Sequence, residues 1–497
     1  MADGAVALRS TTGRWVLAAT VLGSGMAMLD ATVVNIALPT IGRDLDADLE
    51  ALQWVVNAYT LTLAGFLLLG GALGDRFGRR RIFLLGIVWF AGASVLCAAA
   101  PNAATLVVAR ALQGTGAALL TPGSLAIIEA SFVPPDRAAA IGAWSGLAGV
   151  MTAVGPFVGG WLIQSGSWRW IFIVNVPFAA AVLLIGWRCL PESRDEDAPP
   201  GIDLAGALLT ALGLGGVAYA LTAGTEAGWS DAVVVTALIT GVAALVALVV
   251  VEARIRHPLV PLALFRVRQL SAANAVTFVV YGALSGSLFL VPIQLQTVMG
   301  YSPIESGAAL LPITGLMLLF SPRAGRLGSR IGPRVPMALG PIVAGAGLLL
   351  LSAADDGSGY WAGVLPGITV FGIGLTITVA PLTATALGAA GERHAGIASA
   401  VNNDVARTAG LLAVAVLPPL AGITNADFSD AVAFSDGFQV AMLIGAATIA
   451  AGGVLAWLTI RNPPSDHAVT AEEEHPTAHC ALDAPPLRAD CSPTPGP

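Results

Sequence analysis

Fourteen stretches of this chain are apolar over the length that a bilayer demands, and they leave little sequence between them. A helix needs about 20 apolar residues to cross the hydrocarbon core. Such runs fall at about 15–38, 52–73, 82–100, 104–128, 139–163, 170–189, 204–223, 232–251, 270–292, 305–321, 336–353, 361–386, 396–420 and 438–460. They are unbroken, whereas the strands of an outer-membrane barrel alternate apolar and polar residues. Only 11% of the 497 residues are charged and 56% are hydrophobic, against about 25% charged in a soluble domain. That leaves too little polar surface to cover a soluble enzyme of this size. The expected fold class is an all-α polytopic membrane protein with 14 transmembrane helices.

The charges test that count. All 24 basic residues are arginine. With the N-terminus placed in the cytoplasm, the inside segments hold 20 of them and the outside segments only Arg43 and Arg169, while Arg110 and Arg407 lie within runs. Cytoplasmic loops carry such an excess of positive charge, so the chain is expected in the cell membrane with both termini cytoplasmic. The net charge of −7 comes mostly from 463–497, an acidic, proline-rich stretch that reads as a disordered tail.

The stretch Gly71-Ala-Leu-Gly-Asp-Arg-Phe-Gly-Arg-Arg-Arg81 follows the second run, and a weaker echo, Gly325-Arg-Leu-Gly-Ser-Arg-Ile-Gly-Pro-Arg334, follows the tenth. If runs seven and eight are an insertion, both echoes occupy the same place in a six-helix half, as in transporters built by duplication. The expected organisation is an N-terminal segment 1–14, a six-helix bundle 15–190, a linker with two inserted helices 191–256, a second bundle 257–462 and the tail.

Ionisable groups inside the membrane are costly and mark function. Asp30 lies roughly 13 Å and Arg110 roughly 9 Å from the outer ends of their runs, at 1.5 Å per helical residue. They are near one level and can meet. A carboxylate there holds a proton when desolvated and releases it when water or a cation arrives; the alternative is a static ion pair that fixes helix packing. Asp404 and Arg407 share a helix face three residues apart, either as a self-satisfied pair or as a substrate-cavity or second proton site. Asn35, Asn57, Tyr59, Gln113, Trp144, Tyr281, Gln294, Asn402 and Asn403 are further polar or aromatic groups for a cavity, although aromatics near run ends also serve as interface anchors.

The Gly71–Arg81 stretch is expected to be a short loop, with glycines for tight turns and arginines that anchor topology and anionic lipid; topology needs no acid, so Asp75 is the discriminating residue. In the fifth run Gly142, Gly146 and Gly149, then Gly155, Gly159 and Gly160, permit close helix contact, and Pro156 permits a kink. The absence of lysine excludes a Walker A motif and an ATP motor. No cofactor, metal or nucleic-acid signature is present, and Cys97, Cys189, Cys480 and Cys491 have no ligand or disulfide spacing.

Five stretches in order resemble the major facilitator superfamily, specifically its fourteen-helix drug:proton antiporter family. They are Leu29-Asp-Ala-Thr-Val-Val-Asn-Ile-Ala-Leu-Pro39, Gly71–Arg81, Arg110-Ala-Leu-Gln-Gly-Thr-Gly116, the fifth run ending Gly155-Pro-Phe-Val-Gly-Gly160, and Trp168-Arg-Trp-Ile-Phe-Ile-Val-Asn-Val-Pro177. The resemblance covers nearly the whole chain outside the tail; Ser329 stands where the first half has Asp75. It implies two six-helix bundles plus two helices, and proton-driven export of small amphipathic drug-like compounds by a monomer working through alternating access. It implies proton coupling at Asp30 and Arg110, a gating latch at Gly71, Asp75, Arg76, Gly78, Arg79 and Arg80, and an antiporter motif at Gly146, Gly149, Gly155, Pro156, Gly159 and Gly160. A proton-coupled importer of a nutrient is opposed by the exporter-type motifs. A membrane sensor or scaffold is opposed by the intramembrane charges and by the lack of a sizeable extramembrane domain.

Overall fold

The computed structural model describes residues 6–195, 201, 203–255, 258, 261–355, 357–389, 395–428 and 430–462. The acidic tail 463–497 lies outside them. Fourteen long helices follow in order: α1 (Thr11–Leu45), α2 (Leu49–Phe77), α3 (Arg79–Ala99), α4 (Ala103–Ser131), α5 (Pro134–Ser165), α6 (Trp170–Cys189), α7 (Leu204–Ala223), α8 (Ala232–Arg254), α9 (Arg268–Val298), α10 (Pro303–Ile331), α11 (Arg334–Leu351), α12 (Tyr360–Ala389), α13 (Ala395–Leu420) and α14 (Ala431–Thr459). Each covers one of the expected runs to within two residues. All but α13 are long and apolar enough to cross a membrane; α13 is 26 residues long and carries Asn402, Asn403, Asp404 and Arg407. The protein is an all-helical, multi-pass membrane protein.

The ends follow local chemistry. Ser10 caps α1 by accepting from Gly13 N at 3.0 Å. Asp48 caps α2 by accepting from Ala51 N at 2.8 Å, and Asn102 caps α4 by accepting from Thr105 N at 2.9 Å. Such caps satisfy amides that a first turn leaves orphaned. In α6 the ladder lapses at Val174, because Pro177 offers no N–H to the carbonyl of Ile173.

The expected glycine turns of the Gly71–Arg81 stretch are corrected. Gly71 and Gly74 lie within α2, and only Gly78, at φ +114°, leaves the helical conformation. The echo likewise lies within α10 and turns only at Gly332, φ +84°. Arginine is a good helix former, so both helices continue past their apolar runs until a glycine supplies the positive φ that other residues avoid.

Packing repeats between the halves. α1 lies on α5, and α3 and α2 on α4; in the second half α9 lies on α13, and α11 and α10 on α12. Glycines set the approach. A Cβ at Gly116 would stand 2.7 Å from Phe90 N in the first half. One at Gly374 would stand 2.6 Å from the Ala344 Cα in the second. The inserted α7 packs on α2 and α13, with α8 behind it.

The two ends of the bundle differ. At the arginine-poor end the halves meet. Gln296 Nε2 donates to the Ile36 carbonyl at 2.9 Å, Gln53 Nε2 to the Val414 carbonyl at 2.7 Å, and Glu50 N to Asn425 Oδ1 at 3.2 Å. Gly160 of α5 abuts Pro303 and Ile304 of α10, and Gly307 abuts Pro156. Toward the arginine-rich end, Cβ atoms at Gly142, Gly146 and Gly149 of α5 and Gly315 of α10 would meet nothing within 4 Å. The halves are closed at one end and parted at the other.

Candidate functional site

Asp30 is buried in the first half, and three donors from other helices converge on it. Arg110 Nη1 of α4 forms an ion pair with Oδ2. Gln113 Nε2, one turn along α4, donates to Oδ1 at 2.8 Å, and Asn175 Nδ2 of α6 donates to the same oxygen at 3.1 Å. Ser94 of α3 ties the ring together by accepting from Gln113 Nε2 at 2.8 Å and Asn175 Nδ2 at 3.3 Å. Arg110 is fixed in turn. Its Nε donates to the Val55 carbonyl at 3.0 Å, Nη1 donates to Gln113 Oε1 at 2.6 Å, and the guanidinium lies 4.3 Å from the Tyr59 ring centroid. Five helices thus hold one acid and one base in a closed polar cluster. A buried charge persists only when paired and hydrogen-bonded in this way.

Sequence reasoning placed Asp30, Arg110, Gln113 and Tyr59 in the bundle, and the structure brings these four together. It did not single out Asn175 or Ser94. Asn175 carried a signal, being the one amide in the apolar stretch Trp170–Pro177. Ser94 carried none, since a helical serine ordinarily bonds its own backbone; Ser94 does so as well, to the Phe90 carbonyl at 2.8 Å.

The other expected cavity residues are spread over the bundle. Trp144 Nε1 donates to Ser24 Oγ at 3.1 Å, joining α5 to α1. Asn402 Nδ2 donates to Asn274 Oδ1 and Thr277 Oγ1 of α9, both at 2.8 Å. Asn403 Nδ2 bonds the Ser399 carbonyl of its own helix. Gln294 sits at the arginine-poor end, where its Nε2 donates to the Ala354 carbonyl at 2.8 Å. Tyr281 is half-buried against the second-half core. Five of the expected cavity residues have buried atoms with no hydrogen-bond partner: Asn35 Oδ1, both amide atoms of Asn57, Gln294 Oε1, Asp404 Oδ1 and Arg407 Nε. Among the described residues Asp404 and Arg407 form no ion pair, so the self-satisfied arrangement is not adopted.

In the Gly71–Arg81 stretch Asp75 pairs with Arg79, with both Nη2 and Nε 2.8 Å from Oδ1. Arg79 N donates to the Ser193 carbonyl at 2.9 Å, and Asp195 N to the Asp75 carbonyl at 3.1 Å. Arg80 Nη2 donates to the Trp187 carbonyl at 2.6 Å. These contacts bind the stretch to the end of its own half. Along α5 the glycines toward the arginine-poor end are packed hard: Gly155 abuts Thr32, and a Cβ at Gly159 would stand 2.8 Å from Val33 Cγ1.

The chain is 38% identical to the puromycin resistance protein of Streptomyces alboniger over 90% of this chain and 91% of that one. It is 36% identical to the methylenomycin A resistance protein of Bacillus subtilis over 90% and 95%. It is 37% identical to the tetracenomycin C resistance and export protein of Streptomyces glaucescens over 81% and 74%. Among solved structures, a peptide transporter in complex with sulfate superposes with a TM-score of 0.65 over 91% of this chain and 98% of that one, at 16% identity. A bacterial homologue of the lysosomal transporter Spinster, inward-facing and unoccupied, superposes with a TM-score of 0.62 over 90% and 97%, also at 16%. The family model described as Major Facilitator Superfamily matches residues 20–414, and the chain belongs to that superfamily of transporters.

Proposed function

We propose that the protein is a proton-coupled exporter of small amphipathic, antibiotic-like compounds, working by alternating access in the cell membrane with the arginine-rich end in the cytoplasm. The observation that carries this reading is the buried Asp30 cluster. A carboxylate enclosed by five helices can control their packing through its protonation state, since a proton on Asp30 removes the charge that Arg110, Gln113 and Asn175 are arranged to meet. The names of the relatives, which include resistance and export proteins, favour efflux.

In this mechanism the structure is the inward-facing state, closed outside and parted inside. Substrate enters between the halves from the cytoplasm or inner leaflet. Closure of the arginine-rich end and parting of the outer glycine contacts expose the site to the outside. There Asp30 takes up a proton and substrate leaves, and on return to the inward-facing state Asp30 gives that proton up to the cytoplasm. Asp75 latches the arginine-rich end when it closes, by turning from Arg79 to a partner in the second half. Arg110 and Gln113 hold the deprotonated acid; Asn57, Asp404 and Arg407 offer the unused polar groups.

The experiment is uptake of a fluorescent amphipathic substrate into everted vesicles or proteoliposomes under an imposed pH gradient. The native chain is expected to concentrate the dye against its gradient, and a protonophore is expected to remove that drive. Asp30→Asn should insert and fold but lose coupled export; full concentrative export by that variant overturns the reading.

A further inference from the structure

The two inserted helices have no counterpart in the duplicated pattern, and their position assigns them a task. α7 lies along the seam between α2 of the first half and α13 of the second. Leu214 and Ala218 of α7 are buried with Leu411 of α13, and Trp54 and Leu61 of α2 pack against the same cluster. α7 is seated closely on α2. A Cβ at Gly65 would stand 3.0 Å from that of Ala211, one at Gly215 would stand 3.1 Å from Leu61 Cδ2, and the Trp54 and Tyr219 rings lie 6.3 Å apart. α8 covers α7 from outside, with Val233, Ile239, Val246 and Val249 exposed.

The contact at Leu411 fixes which face of α13 meets α7. On a helix of 3.6 residues per turn, Arg407 and Asp404 lie four and seven residues before Leu411, on one stripe with it. Asn402 lies nine residues before Leu411, half a turn away in rotation, and bonds α9. The stripe on the α7 side therefore carries an acid and a base, and these are the two groups whose Oδ1 and Nε have no hydrogen-bond partner. Facing acyl chains, an unpaired charge at that depth costs several kcal/mol. α7 brings no compensating charge to the seam; its spanning residues Leu204–Ala223 are uncharged. What it does bring is bulk.

We propose that α7 and α8 form a lateral wall that keeps lipid out of the seam between α2 and α13, so that Asp404 and Arg407 face water and substrate from the parted end rather than hydrocarbon. The wall belongs mechanically to the first half. Its contacts with α2 are close and interlocked through glycine, whereas its contact with α13 is a smooth apolar patch on which α13 can slide. This assignment does not depend on the direction of transport or on its energy source.

Site-directed spin labelling tests the wall. In a chain with its four cysteines replaced, a nitroxide is placed at Asp404→Cys, at Arg407→Cys and, as the lipid-facing control, at Val246→Cys. Collision with oxygen, which partitions into lipid, is compared with collision with a water-soluble nickel chelate in reconstituted membranes. The labels at positions 404 and 407 should favour the chelate severalfold over the control. Gly65→Leu and Gly215→Leu, which wedge α7 away from α2, should raise oxygen collision at 404 and 407 severalfold while leaving 246 as it was. Oxygen-dominated collision at 404 and 407 in the unwedged chain overturns the proposal. So does an unchanged profile in wedged chains whose α2–α7 separation has demonstrably grown. Should neither wedged chain fold, the unwedged comparison decides by itself.

Discussion

Asp30 and Asp404 are both carboxylates enclosed by helices, and each has an arginine assigned to it by sequence position, yet their surroundings differ in kind. The arginine of Asp30 comes from another helix, and packing leaves the two no alternative: α4 presents Arg110 and Gln113 together, α6 adds Asn175, and the pair closes. The arginine of Asp404 stands three residues along its own helix. Nothing outside α13 turns the two side chains toward each other, and no pair forms. Burial with converging donors ties the charge of Asp30 to the packing of five helices. Enclosure without them leaves Asp404 with no such tie.

The contrast predicts unequal costs. Asp30→Leu strands the Arg110 cation among apolar neighbours, and breaking a buried pair from one side costs about 3–5 kcal/mol; thermal unfolding in detergent should show a large loss, partly restored by Arg110→Leu in the same chain. Asn175→Leu removes one of three donors and should cost about 1–2 kcal/mol by the same measurement. Asn402→Ala, which unbinds α13 from Asn274 and Thr277, should cost about 1 kcal/mol. By contrast, Asp404→Asn removes an acid with no recorded partner, so stability should change by less than about 1 kcal/mol. If Asp404→Asn destabilises as much as Asp30→Leu, the distinction between the two acids fails. The smallest loss belongs to Asp75→Asn. Its pair with Arg79 is partly exposed and contributes at most about 1 kcal/mol. That variant should instead change which end is open, read as cysteine accessibility at the arginine-rich end.

The helices were legible because hydrophobicity along a membrane span is a property of the sequence by itself, and Asp30 and Arg110 stood out against it. What was illegible depended on neighbours. That Asn175 and not Asn57 would reach Asp30 turns on the rotation of α6, and the role of the Val55 carbonyl turns on backbone position, which residue identity does not encode. The Gly71–Arg81 stretch shows a subtler failure. Its glycines suggested turns, but a glycine inside a hydrogen-bonded ladder stays helical unless the ladder ends there, and only Gly78 met that condition. Gly160 and Gly142 look alike in sequence, yet one is pressed on Pro303 and Ile304 of the second half and the other stands free, because the halves are parted along α5 from one end only.

The seal at the arginine-poor end has a kinetic consequence. Where α5 meets α10, Gly160 lies on the main chain of Pro303 and Ile304, and Gly307 on that of Pro156. Two smooth backbones in contact gain dispersion over their shared area but interlock no side chains. When these glycine contacts part, no rotamer at them has to be unlocked and none has to find its slot on return. The barrier to opening at this joint then follows the area separated, beside the Gln296 and Gln53 hydrogen bonds that cross the same end. A single methyl group at Gly160 would act as a wedge and as grit together, so these glycines set the pace of the cycle more than its direction.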